Sequence, residues 1–182
     1  MSEHKISHPD MVRRLFKDPT TIHLTPDQIN LLHAAVGLAG EAGEVLDLVL
    51  KDEASRRDEL VNELGDVEFY LESVRQALGI TFPCLGMDTQ SQATPLEDAA
   101  GMSVCACSLL DAAKKSAFNG RDDQLEALHT EVFKMACFLD LVRSHFNITR
   151  QETLDANIAK LGARYDGFEY SDEAAAARRD EE

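Results

Sequence analysis

The sequence predicts an all-α protein: a four-helix bundle made of two tandem helical hairpins, the second a degenerate copy of the first, with further helices at either end. Three observations carry this expectation. Apolar residues recur at helical spacing through four long segments, and no stretch alternates with period two for long enough to read as a strand. The pattern Thr-x-x-Glu/Gln, whose side chains cap a helix N-terminus reciprocally, opens three segments, at Thr25, Thr94 and Thr149. The chain also repeats itself at an interval of 64 to 68 residues.

The elements follow in order. A short helix is expected near Pro9 to Lys17. Thr25-Pro26-Asp27-Gln28 combines a capping box with Pro at the first helical position, and helical spacing then runs to about Lys51. Ser55 is positioned to cap a second long helix that stops at Gly79, a residue type suited to the left-handed turn beyond a helix end. Thr81 to Ala93, with Pro, Gly, Ser and Gln, is the one long linker. Thr94-Pro95-Leu96-Glu97 starts a third long helix to about Phe118, and Asn119-Gly120 is a turn. A fourth helix spans about Asp122 to His145, and Thr149-Arg150-Gln151-Glu152 caps a shorter one to about Ala163. Residues 1–168 are expected to form one domain, with hairpins over 25–80 and 94–147, a segment over 148–168 that closes on substrate, and a loose charged tail over 169–182.

The repeat is specific. Shifted by 64, Ala35, Gly37, Ala42, Asp47 and Lys51 fall on Ala99, Gly101, Ala106, Asp111 and Lys115. Shifted by 68, Leu60, Glu63, Leu71, Val74, Arg75, Ile80 and Thr81 fall on Leu128, Glu131, Leu139, Val142, Arg143, Ile148 and Thr149. The change of shift puts a four-residue insertion in the second hairpin turn. This reads as duplication of a hairpin, and two hairpins make a four-helix bundle. The copies are not equivalent: Glu41, Glu44 and Asp66 correspond to Cys105, Ser108 and Lys134, and only Glu63 keeps its acid, as Glu131.

The balance of 33 acidic against 18 basic residues, a formal charge of −15, argues against duplex DNA or RNA as partner because the cations are scattered. A free nucleotide is compatible, since a metal ion and a few local cations screen its phosphates. No apolar run approaches the ~20 residues that span a bilayer, so no membrane partner is expected. The opening residues, Met1 to Asp10, are polar and do not read as a signal peptide, which makes a cytoplasmic location with reduced thiols the expectation. Cys105-x-Cys107 lacks the second ligand pair that structural zinc requires, so Cys84, Cys105, Cys107 and Cys137 read as small packed residues.

Glu41 and Glu44, three apart, share one helix face; Glu63 and Asp66 share a face of the next helix. A short turn makes these helices antiparallel neighbours, so the four carboxylates can converge. Their apolar neighbours Ala39, Ala42, Val45, Leu64 and Val67 leave no room for a broad solvated stripe. Converging carboxylates repel one another, and a hard cation relieves that; oxygen-only ligands select Mg²⁺, Mn²⁺ or Ca²⁺ over zinc. Gly37, Gly40 and Gly43 each cost a helix about 1 kcal/mol against Ala, so close approach of a helix or ligand is expected there.

Gly37-Leu-Ala-Gly-Glu41-Ala-Gly-Glu44-Val45 and Glu63-Leu-Gly-Asp66-Val67 closely resemble the E-x-x-E then E-x-x-D motifs of the MazG-like nucleoside triphosphate pyrophosphohydrolases. Residues 157–168, with Asn157, Lys160, Arg164 and Tyr165, resemble that family's region after the bundle. The resemblance implies Mg²⁺ (Mn²⁺ as a substitute) held by Glu41, Glu44, Glu63 and Asp66, and hydrolysis of a nucleoside triphosphate to monophosphate and pyrophosphate. Glu41 or Glu44 would activate water. Lys160 and Arg164 would hold phosphates, Asn157 sugar or phosphate, and Tyr165 would stack on substrate; Lys51 is a further phosphate candidate, and His33 lies too far along its helix to join the cluster. A homodimer is expected. The intervening second hairpin is similar to the dimeric dUTPases of the same superfamily, which makes dUTP or dUDP hydrolysis an alternative; the extra glutamate those enzymes carry beside the first motif falls on Gly40.

Two other classes compete. A di-iron carboxylate bundle needs Glu-x-x-His on two helices, whereas Glu126-x-x-His129 stands alone, in the copy without the other acids. A non-catalytic helical nucleotide-binding or interaction protein would have no use for the intact set of four acids.

Overall fold

The computed structural model describes residues 6–51, 56–81, 91–119 and 122–177. Its helices are α1 (His8–Leu15), α2 (Pro26–Leu50), α3 (Arg57–Leu78), α4 (Pro95–Asn119), α5 (Leu125–His145), α6 (Arg150–Arg164) and α7 (Asp172–Ala177), with no strand among the described residues. Ser55, Cys84, Gly120 and most of the expected 81–93 linker lie outside those residues. The fourth long helix begins as a 3-10 turn, Asp122–Gln124, and becomes α-helical at Leu125. Part of the segment expected as tail is helical: α7 lies against α6.

Local chemistry accounts for the boundaries. Thr25 and Thr149 both form complete capping boxes, with Gln28 and Glu152 reaching back to the cap N–H. Thr94 N–H likewise donates to Glu97 at 2.7 Å, and Glu97 N–H to Thr94 Oγ1 at 3.2 Å. α3 ends at Gly79 with φ +64°, and Ile80 N–H then closes on Arg75 O at 2.9 Å.

α2 is central, flanked by α3 and α4; α5 packs on α4 and α3, completing the four-helix bundle, and α6 lies on α3. Ala35, Ala42, Ala99 and Ala106 are wholly buried on α2 and α4, and Ser103 Oγ donates to Ala42 O at 2.8 Å. Small residues thus let these two helices approach closely. Larger side chains, Leu38, Leu60, Leu64, Met102, Leu109, Leu128, Met135 and Leu139, fill the rest of the core, each contributing about 1.5–3 kcal/mol by leaving water.

The internal repeat extends into geometry. A Cβ on Gly37 would sit 2.3 Å from the ring of Tyr70; one on Gly101 would sit 2.4 Å from Phe138, the residue 68 beyond Tyr70. Asp47–Lys51 and Asp111–Lys115 form matching i,i+4 ion pairs of 2.6 and 2.5 Å. Asn147, the counterpart of Gly79, also has positive φ (51°), and Ile148 N–H closes on Arg143 O at 3.0 Å as Ile80 does on Arg75.

One buried charge network ties the second hairpin to the first. Glu68 of α3 accepts from Arg143 of α5 and, at 3.0 and 3.2 Å, from Arg150 of α6; Arg143 also pairs with Asp140. Glu68 and Arg143 are 6% and 4% exposed, so neither charge is tolerable there without the other. The network fixes where α6 starts, and α6 carries half of the site described next.

Candidate functional site

Glu41 and Glu44 project from one face of α2, and Glu63 from the facing surface of α3. One carboxylate oxygen from each lies within 4.8 Å of the others. Among the described residues this is the group of His, Cys, Asp and Glu that could hold a metal ion; Glu126 and His129 are both exposed and form no such group.

Asp66 is not part of that trio. Its two oxygens accept from Asn157 Nδ2 at 2.8 Å and Lys160 Nζ at 2.5 Å. Both donors come from α6, which Gly65 admits: a Cβ there would stand 2.7 Å from Thr153 O and 3.1 Å from Asn157 Cβ. Sequence spacing places Asp66 on the right face but cannot reveal that α6 covers it. Asn157, expected at sugar or phosphate, is buried and turned to Asp66.

Burial pushes the Glu41 carboxyl up to about 7, with Asp66, Glu44 and Glu63 adding to it and Lys160 opposing. Glu63 is raised by burial and then by Glu44 and Asp66. Burial alone would lower Lys160; its bond to Asp66 and the charges of Asp66 and Glu63 outweigh this and raise it. Negative charge here exceeds what Lys160 offsets. The donors are all carboxylate oxygens, the hard set that suits Mg²⁺ or Mn²⁺.

The acids line one end of a cavity of roughly 700 Å³, which Lys160, Arg164, Tyr165, Tyr70 and Phe168 also line. Lys160, Arg164 and Tyr165 are therefore where the sequence places them, beside the acids. Lys51 is not: it sits at the far end of α2, ten residues or about 15 Å from Glu41, paired with Asp47. His33, expected to lie too far along its helix to join the cluster, is exposed and lines the same cavity edge-on to Tyr70, with ring centres 6.3 Å apart.

Sequence reasoning missed Phe69, Tyr70, Phe168 and Tyr170, all of which line the cavity. Tyr70 had a signal, being four residues past Asp66 on the same helix face. Gly37 has a partner in its ring. Gly40 and Gly43 have nothing within 4 Å of a built Cβ, so no helix approaches them. Cys105 is buried and Cys107 exposed, both as free thiols.

The second hairpin shows what became of the equivalent position. Cys105 donates toward Glu131, and Lys134 Nζ pairs with Glu131 at 2.7 Å. Burial and that carboxylate push the Cys105 thiol up to about 11. An ammonium stands beside the one retained acid.

No protein-family model matches the chain, and neither a curated protein nor a solved structure matches it.

Proposed function

We propose that the chain is a MazG-like, Mg²⁺-dependent nucleoside triphosphate pyrophosphohydrolase, with Mn²⁺ as a substitute metal. The observation that carries this is the convergence of Glu41, Glu44 and Glu63 within 4.8 Å at one end of a cavity that also presents Lys160, Arg164 and aromatic rings. Acids alone would suit a bare cation; acids facing cations and rings suit a cation carrying a phosphorylated aromatic ligand.

Glu41, Glu44 and Glu63 would hold the metal, and Asp66 would join them once phosphates draw Lys160 away. Bound there, Mg²⁺ supplies charge neutralisation at phosphate oxygens and a more acidic water. Lys160 and Arg164 bind phosphate oxygens. Glu41 or Glu44 takes the proton of the attacking water as its oxygen bonds to phosphorus. The α–β phosphoanhydride bond breaks, releasing nucleoside monophosphate and pyrophosphate. Tyr70 and Tyr165 exclude bulk water from the phosphate chain.

No described helix is long and apolar enough to cross a membrane, and we place the enzyme in the cytoplasm, acting on the nucleotide pool as a homodimer. Light scattering giving only the 20.1 kDa chain mass, and not twice that, would remove the dimer from this reading.

The test is a panel of common NTPs and dNTPs, dUTP and oxidised or methylated forms, with Mg²⁺ and with Glu44→Ala as control. Monophosphate plus pyrophosphate, lost in the variant, is expected. Diphosphate plus phosphate would mean a different bond is cleaved, and no product from any member would remove the catalytic reading.

A further inference from the structure

The acidic cavity does not end at Tyr70. It shares His33, Phe69 and Tyr70 with a second cleft of roughly 700 Å³ that continues between α2 and α3, where Asn30, Ser73 and Gln76 supply polar edges. Antiparallel register explains the continuity. Asn30, His33, Gly37, Glu41 and Glu44 recur at three- and four-residue spacing along one face of α2, opposite Glu63, Asp66, Tyr70 and Ser73 of α3. α6 runs parallel to α3, as the contacts Arg57–Glu152, Gly65–Thr153 and Asp66–Lys160 require.

Moving away from the exposed Glu44, the groove therefore offers acids, then Lys160, then Arg164 with Tyr70, then the His33 and Phe69 rings, then Asn30. From Glu41 to His33 is eight residues, or about 12 Å along the helix. Along α2 and α3 the order is anionic, cationic, aromatic, then amide with the Asp27 carboxylate, while Tyr165, Phe168 and Tyr170 line the α6 side. A nucleotide has the matching order: metal-bound phosphates, further phosphate oxygens, then a flat ring with a hydrogen-bonding edge.

We propose that the nucleobase lies in the α2–α3 cleft beyond Tyr70, against His33 and Phe69, with the Asn30 carboxamide reading its edge. The inference rests on the nucleotide reading above and goes past it by assigning the base to one end of the groove. Phe69 and Tyr70 stand edge-to-face at 5.2 Å and 84°, so each braces the other. His33 and Asn30 are exposed, so replacing them removes contacts without opening the core.

The experiment is steady-state hydrolysis of the nucleotide panel by wild type, Asn30→Ala, His33→Ala and Phe168→Ala, each checked for an unchanged melting temperature. Expected for Asn30→Ala and His33→Ala is a roughly five- to tenfold rise in KM for the preferred nucleotide, as for loss of one hydrogen bond or ring contact, with kcat little changed and the ranking among bases flattened. Wild-type turnover with ranking and KM unmoved in both variants would overturn the placement while leaving the activity standing. Flattening in Phe168→Ala alone would put the base on the α6 side and overturn it equally. Absence of turnover by wild type would instead bring down the activity itself, and the placement with it.

Discussion

The ring of Tyr70 lies on the backbone of Gly37 so closely that no larger residue fits without moving it: a Cβ would be 2.3 Å from the ring. Gly40, one turn on, faces open space. Two glycines of similar helical cost thus have opposite prospects. Gly37→Ala is expected to lose about 1–3 kcal/mol through overpacking and to displace Tyr70 from the cavity. Gly40→Ala is expected to gain up to about 1 kcal/mol from helix propensity. Urea denaturation of both settles the pair; equal stabilisation would mean that Tyr70 is not held against Gly37.

Glu63 and Glu131 are counterparts with different neighbours. Glu63 faces Glu41 and Glu44, whereas Glu131 faces Cys105 and Lys134. On the proposed function Glu63→Ala abolishes turnover and Glu131→Ala leaves it within a few-fold. Comparable loss in both, measured as pyrophosphate release, would show that the second hairpin is not a silent copy.

Glu68 is buried and receives two arginines, Arg143 buried beside it and Arg150 reaching in from the surface. Its removal leaves Arg143 buried with only Asp140, and breaking a buried pair in this way costs about 3–5 kcal/mol. Glu68→Ala should therefore be far more destabilising than removal of an exposed pair member such as Asp47, where less than about 1 kcal/mol is expected. Chemical denaturation of the two variants side by side is the check.

Stability should depend on pH through Glu41. Its carboxyl has an ordinary value of 4.5 and is pushed up to about 7 in the fold, so the folded chain binds that proton more tightly than the unfolded one. The contribution favours folding fully below about 4.5 and is lost as pH rises to about 7. Glu152, held down to about 2 by the Thr149 N–H and Arg57, acts with opposite sign but below pH 4.5. Metal-free wild type should thus lose melting temperature between pH 4.5 and 7 relative to Glu41→Gln, and Mg²⁺ should raise it more at pH 8 than at pH 5. Parallel curves for wild type and variant, with no metal effect, would contradict the assignment.

The helices were legible because their signals are local. A cap and its N3 partner lie three residues apart, and the terminal Gly79 sits at the point it terminates. The pairing of Glu41 with Glu44, and their approach to Glu63, follow from helix geometry and one short turn. What stayed hidden depends on long-range contact. Nothing near Asp66 in sequence announces Asn157 and Lys160, 91 and 94 residues away. His33 looks remote when counted along α2, yet Tyr70 bridges the interval from the facing helix. Lys51 shares a helix with the acids, but seven residues of helix separate it from Glu44 and its ammonium is paired with Asp47.

The Lys134 ammonium beside Glu131 is tethered by covalent bonds, so no chelator can strip it and no dilution can lower its occupancy. The corresponding corner of the first hairpin has only the partial counterweight of Lys160. One half of the bundle is thereby closed, its charge balance written into the polypeptide. On the proposed function the other half is left open, and its rigidity would answer to the ionic composition of the surrounding fluid.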